Sequence, residues 1–451
     1  MKFLFFTEHG EISDLASYLL HVESHDVVMF IETHEQRRIA EGIVPHIKDW
    51  YRYIGKGWIW VFDGCAHGDL QDWLREMGED VVGGTAETDE LENNRQLGQD
   101  WFKKAGFDQV ESHNFTDLDE ALAFVEENSD WKWILKQNSD APKHLSHKGH
   151  FENSEDQIFH LRELKKHWNE MEFGKFDCDL MEVVEGLEVA ASAFWNGKDW
   201  LRNSRGKVVG FLNFEEKKEG DGDTGETCGE MGTSFIGVDS DDALFSAILL
   251  RPAITERLRS SGFRGVFDIN CIRSEDGRLV ALEPTCRFGV PATSYELIEG
   301  LDTPTGELLS ALAKGINRKV EVHEGVGMVM CIVAKPFPLD VDVEPDGTSV
   351  GEKLWIMQDK QPIADFTKDQ KQHIHLYNFE KTEDLDTGEI VYKVPTKNGY
   401  LLTVTGRGER VSLTRDALIH YIKQNIFFPG MKYRQDIGHR VEAVEMELEA
   451  M

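Results

Sequence analysis

The chain reads as an α/β protein, with a parallel α/β domain first, a long middle part of alternating helices and strands, and a strand-rich α+β part at the C-terminus. Three observations predict this. Short apolar runs alternate with helical stretches over about the first 90 residues, the pattern of parallel strands joined by helical crossovers. Of the 451 residues, 40% are apolar and 29% charged, which suffices for a sizeable core and excludes wholesale disorder. At about 150 residues per domain, the length fits roughly three domains.

Lys2 to Thr7 is an apolar run that predicts a buried strand, followed by a helix from Ile12 to about Val22 and a second strand, Val27 to Ile31. Trp58 to Phe62 predicts a third strand, Asp69 to Met77 a helix, and Val81-Val82 before Gly83-Gly84 a fourth strand. The first strand-to-helix turn, Thr7-Glu8-His9-Gly10-Glu11, lacks G-x-G-x-x-G, which argues against a dinucleotide there. Asp89 to Ala105 reads as one helix: Asp89 is its N-cap, Leu97 and Trp101 share a face, and Gly106 stops it. Helices follow at Glu120 to Glu127 and Glu155 to Trp168, and strands at Trp133 to Lys136 and Asp179 to Val184. Gly220 to Gly232 holds five glycines with acids between them and reads as a long functional loop. Gly265 to Ile272 and Arg278 to Glu283 form a hairpin whose turn carries Asp276-Gly277. Gly327 to Ala334, Ile390 to Val394 and Tyr400 to Thr405 are strands.

A formal net charge of −33 repels phosphate backbones and anionic lipid, which argues against a nucleic-acid or membrane-surface protein. The six cysteines form no C-x-x-C pair and no zinc spacing, the usage of a reducing compartment. The N-terminal apolar run meets Glu8 too soon for a signal peptide, and no apolar run is long enough to span a bilayer. The expectation is a cytoplasmic protein, monomer or dimer.

Three constellations carry chemistry. Asp268 and Glu283 sit on the adjacent strands of the hairpin, so both carboxylates can reach one point, as Mg²⁺ with phosphate oxygens requires. Arg287 places a fork-shaped cation beside them. An ordinary hairpin with solvated acids fits the same spacing equally well. Leu180 to Glu188 is an apolar strand running into a linker, suited to a purine edge, with Glu188 within reach of a ribose; an acidic strand end is the plainer reading. Lys136 ends a strand and Lys143 and Lys148 lie in the loop after it, a pattern that suits a nucleotide triphosphate and equally describes solvated lysines.

Together these pieces resemble the ATP-grasp superfamily and look most like the phosphoribosylamine–glycine ligase (glycinamide ribonucleotide synthetase) family. Lys217-Lys218-Glu219-Gly220-Asp221-Gly222-Asp223-Thr224-Gly225, through to Gly229-Glu230-Met231-Gly232, is similar to the family's Lys-Arg pair, Gly-Asp and G-P-N-T-G-G-M-G. Leu282-Glu283-Pro284-Thr285-Cys286-Arg287-Phe288-Gly289-Val290-Pro291-Ala292-Thr293 resembles I-E-F-N-x-R-F-G-D-P-E-T. Asn398-Gly399-Tyr400-Leu401-Leu402-Thr403-Val404-Thr405 and Tyr433-Arg434-Gln435-Asp436-Ile437-Gly438 resemble G-G-R-V-L-x-V-T and Y-R-x-D-I-G. The resemblance runs from about Glu92 to Arg440 and is weakest before residue 90.

It implies an ATP-grasp fold with a Rossmann-like N-terminal domain (1–90), an ATP-grasp domain (91–318, with a small lid at about 115–185) and a C-terminal domain (319–451). It implies a C–N ligase: ATP phosphorylates a carboxylate such as glycine, and an amine displaces phosphate from the acyl phosphate. Lys136 and Lys148 would meet ATP phosphates, the backbone of Met181, Glu182, Val183 and Val184 the adenine, and Glu188 the ribose. Asp268, Glu283 and Thr285 would bind Mg²⁺ or Mn²⁺, with Arg287 and Lys217 as the catalytic cations.

The departures are specific. The family's G-x-G-G-R-E-H-A loop, which serves the phosphoribosylamine phosphate, is Thr7-Glu8-His9-Gly10-Glu11-Ile12-Ser13-Asp14 here, acids in place of an anion nest. The metal-site asparagine is Thr285, the substrate acids are Val290 and Ala292, and the S-K-x-x-x-K helix start is Asn94-Arg95 to Gln99. Two readings follow: a ligase whose amine acceptor is altered, on a modified nucleotide among other choices, or a non-catalytic descendant that binds nucleotide or serves as an interaction protein.

Overall fold

The computed structural model describes residues 1–137, 146–151, 153–168, 175–289, 295–338 and 347–442. The chain forms two compact units, one of residues 1–105, 188–271 and 282–451, the other of residues 106–187 and 272–281.

The larger unit opens with a parallel sheet. Its strands are β1 (Lys2–Thr7), β2 (Asp26–Ile31), β3 (Ile59–Phe62) and β4 (Asp80–Val82), in the order β2-β1-β3-β4. Near-continuous apolar sequence makes these strands, because helices cover both faces of a parallel sheet. Phe3, Phe5 and Val61 pack on one side and Leu4, Phe6 and Trp60 on the other, all buried. The unit's other large element is an antiparallel sheet. Its strands run Leu279–Thr285, Gly265–Ser274, Gly186–Trp195, Val209–Gly220, Thr224–Asp239, Val326–Val333, Tyr400–Gly408 and Ile374–Leu376 in spatial order, the first two continuing into the smaller unit. A small sheet of Gln361–Ile363, Lys353–Gln358, Ile390–Lys393 and Glu380–Glu383 completes the strand-rich C-terminal part.

The smaller unit is a four-stranded sheet in the order Ser112–Phe115, Cys178–Glu182, Trp133–Gln137 and His147–Lys148. The helices Leu118–Glu127 and Glu155–His167 cover one face, burying Trp133, Leu135, Leu161, Cys178 and Leu180.

Two sequence expectations are corrected. The helix expected over Asp89 to Ala105 is two helices, Ala86–Asn93 and Arg95–Lys104. Thr85 and Thr88 form a capping box that starts the first one turn early, so Asp89 lies inside it. Asn94 leaves the helical region (φ −102°, ψ 93°), and its side chain accepts from Leu97 N at 3.2 Å, capping the second. The glycine-rich stretch Gly220 to Gly232 is not a loop. It is the tip and return arm of a hairpin, with Glu216 opposite Gly232, Lys218 opposite Thr227 and Gly220 opposite Thr224. The uneven register leaves bulged residues, which Gly225 (φ 80°) and Gly232 (φ 152°) accommodate. The Tyr433-Arg434-Gln435-Asp436 segment clamps the tip. Gly222 N donates to Asp436 at 2.8 Å, Gln435 N to Asp221 at 2.7 Å, and the fully buried Arg434 to Asp223 at 3.0 Å. Two motifs far apart in sequence thus meet as one structure.

All six cysteines are free thiols. Among the described residues no helix is long and apolar enough to cross a membrane.

Candidate active site

The large sheet concentrates acids. Glu188, Glu215, Lys217, Asp268, Glu283 and Glu230 lie on five neighbouring strands. Alternate residues of a strand share a face, which places Asn213, Glu215 and Lys217 together. The Lys217 ammonium is 2.7 Å from Glu188 and 3.2 Å from Glu215. Burial alone would lower its pKa; Glu215, Glu188 and then Glu283 outweigh that and raise it. A lysine so placed is fully charged and fixed in direction.

The acids around it are in surplus. Burial raises the Glu215 carboxyl, with Lys217 opposing and Glu188 and Glu283 adding to the shift. Asp268 is raised well above the usual range by burial, then by Glu215 and Glu296. Its Oδ1 is buried and has no hydrogen-bond partner among the described residues. Glu296 is pushed up to about 7 by burial; Ser192 donates to it, and Asn213 donates at 2.8 Å. Glu230 is pushed up to about 8 by burial and by Glu215, with Thr233 donating to it. One lysine among so many buried carboxyls, with an orphaned oxygen on Asp268, fits a divalent cation: oxygen ligands and a missing positive charge are what such an ion supplies. Glu283 is exposed, and Thr285, two residues on, shares its strand face.

Comparisons with known proteins bear on this arrangement. No family model matches the chain. It is 25% identical over 383 residues to phosphoribosylamine–glycine ligase of Listeria innocua, covering 82% of this chain and 81% of that one. It is 28% identical over 237 residues to the enzyme of the same name from a Nostoc species, covering 51% of this chain. Among solved structures, phosphoribosylamine–glycine ligase of Thermotoga maritima superposes with a TM-score of 0.65 over 96% of this chain and 99% of that one, at 16% identity. N5-carboxyaminoimidazole synthetase of Staphylococcus aureus, solved with ADP, gives 0.55 over 94% of this chain and 98% of that one. The chain has the ATP-grasp fold.

Within that fold the residues singled out in the sequence fall into three groups. Lys217, Glu188, Asp268 and Glu283 come together on the large sheet, as described. Arg287 follows the last of these strands and is held by Glu92, with Nε to Oε1 at 2.8 Å; Cys286 N donates to the other oxygen at 2.8 Å. Burial would lower the Arg287 pKa, but Glu92, Cys65 and Glu11 raise it.

Lys136 and Lys148 belong to the smaller unit. Ile134 pairs with Lys148 and with Met181, so Lys136 and Lys148 are diagonal neighbours on the sheet face opposite the buried core. The Glu182 carboxylate is taken by Arg278, at 2.9 Å and 3.3 Å. Val183 N donates to Lys132 O at 2.9 Å, and Val184 is buried. Lys143, Val290 and Ala292 lie outside the described residues.

Sequence reasoning missed Glu215, Glu230, Glu296 and Glu92. Glu215 had a signal, two residues before Lys217 on a strand. Glu296 and Glu92 had none, since their partners lie 104 and 195 residues away.

Proposed function

We propose that the chain is an ATP-dependent carboxylate–amine ligase that forms a C–N bond through an acyl phosphate and takes an acceptor other than phosphoribosylamine. The observation that carries this reading is the orphaned Asp268 oxygen beside Glu283, on the sheet that also holds Lys217 between Glu188 and Glu215, within an ATP-grasp fold. The relatives named phosphoribosylamine–glycine ligase supply the reaction class.

ATP with Mg²⁺ or Mn²⁺ supplies the phosphoryl group and the charge that offsets the carboxylates. Asp268, Glu283 and Thr285 are the residues that would hold the metal, and Lys136 and Lys148 the phosphates. The backbone of Met181 to Val184 would face the adenine and Glu188 the ribose. Lys217 fixes Glu188 and Glu215 in place. Arg287, already desolvated and paired, stabilises negative charge at the reacting carboxylate. The division into 1–90, 91–318 and 319–451, with a lid at 115–185, and the cytoplasmic location belong to the same reading.

The altered acceptor rests on the first turn of the chain, where Glu8, Glu11 and Asp14 stand in place of a phosphate nest. A phosphate monoester wants backbone N–H groups or arginines around it. Of the arginines near this turn, Arg38 pairs with Glu380, Arg37 donates to the Ile31 and Glu32 carbonyls, and Arg287 is held by Glu92. The test is ADP release from ATP and Mg²⁺ across a panel of amino acids and amines, with freshly made phosphoribosylamine and glycine as one arm. Release that depends on a carboxylate and an amine supports the ligase. ATP binding with no release in any arm turns the protein into a nucleotide-binding descendant of the fold. Efficient glycinamide ribonucleotide formation returns it to the ordinary reaction.

A further inference from the structure

The parallel sheet has its own crevice. The chain leaves β1 for β2 on one flank and later returns to β3 on the other, so the switch point falls between β1 and β3. In open α/β sheets ligands bind outside the carboxyl ends of the strands at such a point. Here those ends carry acids in register. Thr7 pairs with Ile31 and Phe6 with Phe62, so Glu8 follows β1 beside Glu32, and Asp63 follows β3 beside Thr7. Glu32 N donates to Thr7 O and Thr33 N to Glu8 O, both at 3.0 Å, which extends the alignment past the strand ends.

Several acids near this edge have a direct side-chain partner. His9 lies 3.4 Å from Glu8, His67 2.8 Å from Glu32, and Arg287 2.8 Å from Glu92. Asp63 and Glu11 differ: Arg287 attracts both from a distance, but among the described residues neither forms a direct ion pair. Asp63 is 3% exposed, its carboxyl is approached by the Thr7 hydroxyl, and its Oδ2 is buried with no hydrogen-bond partner. Glu11 is half-buried and meets the hydroxyl of the buried Tyr377, which also faces Asp63. Burial pushes Asp63 up to about 7 and raises Glu11 as well. Arg287 attracts both carboxyls and His9 attracts Glu11, but Arg287 is already held by Glu92. One guanidinium shared among Glu92, Glu11 and Asp63 leaves acid in surplus at a crevice where the topology places a ligand. The orphaned Asp63 oxygen calls for a donor or positive charge from that ligand.

We propose that this crevice binds the acceptor amine, and that the acceptor carries a second, non-reacting ammonium group held by Asp63 and Glu11, as a diamine or polyamine does. The inference rests on the ligase reading for the role of the amine, but the binding itself is independent of turnover. A phosphorylated amine is the opposite choice, since it would place two negative charges against the same carboxyls.

The experiment is calorimetric titration of 1,4-diaminobutane, butylamine and 2-aminoethyl phosphate into the full chain, loaded with Mg²⁺ and a non-hydrolysable ATP analogue. The diamine is expected to bind at least about 10-fold tighter than butylamine, a gap of about 1.4 kcal/mol. 2-Aminoethyl phosphate is expected to bind weakest. Glu11→Gln and Asp63→Asn should each erode the preference for the diamine. The half-buried Glu11 provides a readout if Asp63→Asn fails to fold. Equal or tighter binding of the aminoalkyl phosphate, no binding of the diamine, or a diamine preference that survives in Glu11→Gln overturns the proposal. ADP release with ATP separates the two readings: diamine binding without turnover keeps this inference and sinks the ligase.

Discussion

The acid-bearing large sheet and the lysine-bearing small sheet hold their charges differently. On the large sheet Lys217 is pinned between Glu188 and Glu215 and Glu230 is held by Thr233, while Ser192 and Asn213 of the sheet hold Glu296 of the helical turn Tyr295–Glu299. On the small sheet Lys148 is exposed on a two-residue edge strand, and Lys136 projects from the non-core face of its neighbour. The first arrangement fixes geometry before any ligand arrives and stores electrostatic strain in doing so. The second holds Lys148 out in solvent, where its long side chain is free to adjust to a ligand. Under the proposed ligase reading, positioning of the reacting atoms would belong to the large sheet and adjustable attraction to the small one.

The largest effect that tests this contrast is on stability. Lys217→Met removes the cation from between the half-buried Glu188 and Glu215 carboxyls. Breaking a fully buried pair costs about 3 kcal/mol; for this half-buried one the expected loss is about 2 kcal/mol, because a partly desolvated charge is left behind. Urea unfolding at pH 8 should show the loss; burial raises the Glu215 carboxyl, so the loss shrinks as the pH falls and that acid takes up its proton. Unchanged stability at pH 8 would mean that the acids are already neutral without the lysine.

Next is Glu283→Gln. An exposed carboxylate contributes little to the fold, but loss of one anionic metal ligand should cut turnover by about 100-fold. The melting temperature without ligand should stay put while the stabilisation by ATP and Mg²⁺ falls. Normal turnover in this variant would put the metal elsewhere.

Much of the acid-bearing part was legible in the sequence, and its gaps have physical causes. Asp268 and Glu283 could be paired because an Asp-Gly turn joins their strands, and strand adjacency follows from a tight hairpin. Lys217 was legible as the head of a motif. Glu215 was lost because the stretch after Lys217 was read as a loop, so the alternation of the strand was not extended back through Asn213 and Glu215. The glycines that suggested a loop instead serve bulges and a tip, which are secured by Arg434 and Asp436 from the end of the chain. The parallel sheet was legible strand by strand because buried strands are continuous apolar runs. The register that aligns Glu8, Glu32 and Asp63 was not, since it depends on pairing between residues 24 apart in β1 and β2 and 56 apart in β1 and β3.

The pH dependence of stability sharpens the same comparison at intermediate size. Glu230 and Glu296 titrate at about 8 and about 7 in the folded chain, against an ordinary 4.5. Their folded values are raised, so the folded state binds more protons between the two. Stability from these groups is complete below about 4.5 and falls as pH rises toward 8. The slope is at most about 1.4 kcal/mol per pH unit for each group. The protein without ligand should melt at a higher temperature at pH 6 than at pH 8.5, and Glu230→Gln should flatten the decline. Added Mg²⁺ with ATP should flatten it too, since a bound cation favours the ionised acids. A stability that rises steadily from pH 6 to 8.5 would contradict the buried, unmatched acids.

The smallest effect is expected on the small sheet. Lys148 is exposed, so its attraction for a phosphate is that of two charges in water, about 1 kcal/mol at 4 Å. Lys148→Ala should therefore raise the KM for ATP about five-fold and leave kcat nearly unchanged, because a contact made equally in the ground and transition states alters binding alone. Salt gives an independent check. At 0.15 M ionic strength the screening length is about 8 Å, so most of the difference between wild type and Lys148→Ala should survive there and fade toward 1 M. Lys136 sits partly shielded beside Asp179 in the sheet register, and its replacement should cost more and respond less to salt. If Lys148→Ala instead lowers kcat by the margin expected for Glu283→Gln, the small sheet positions the reacting groups, and the division of labour between the two sheets fails.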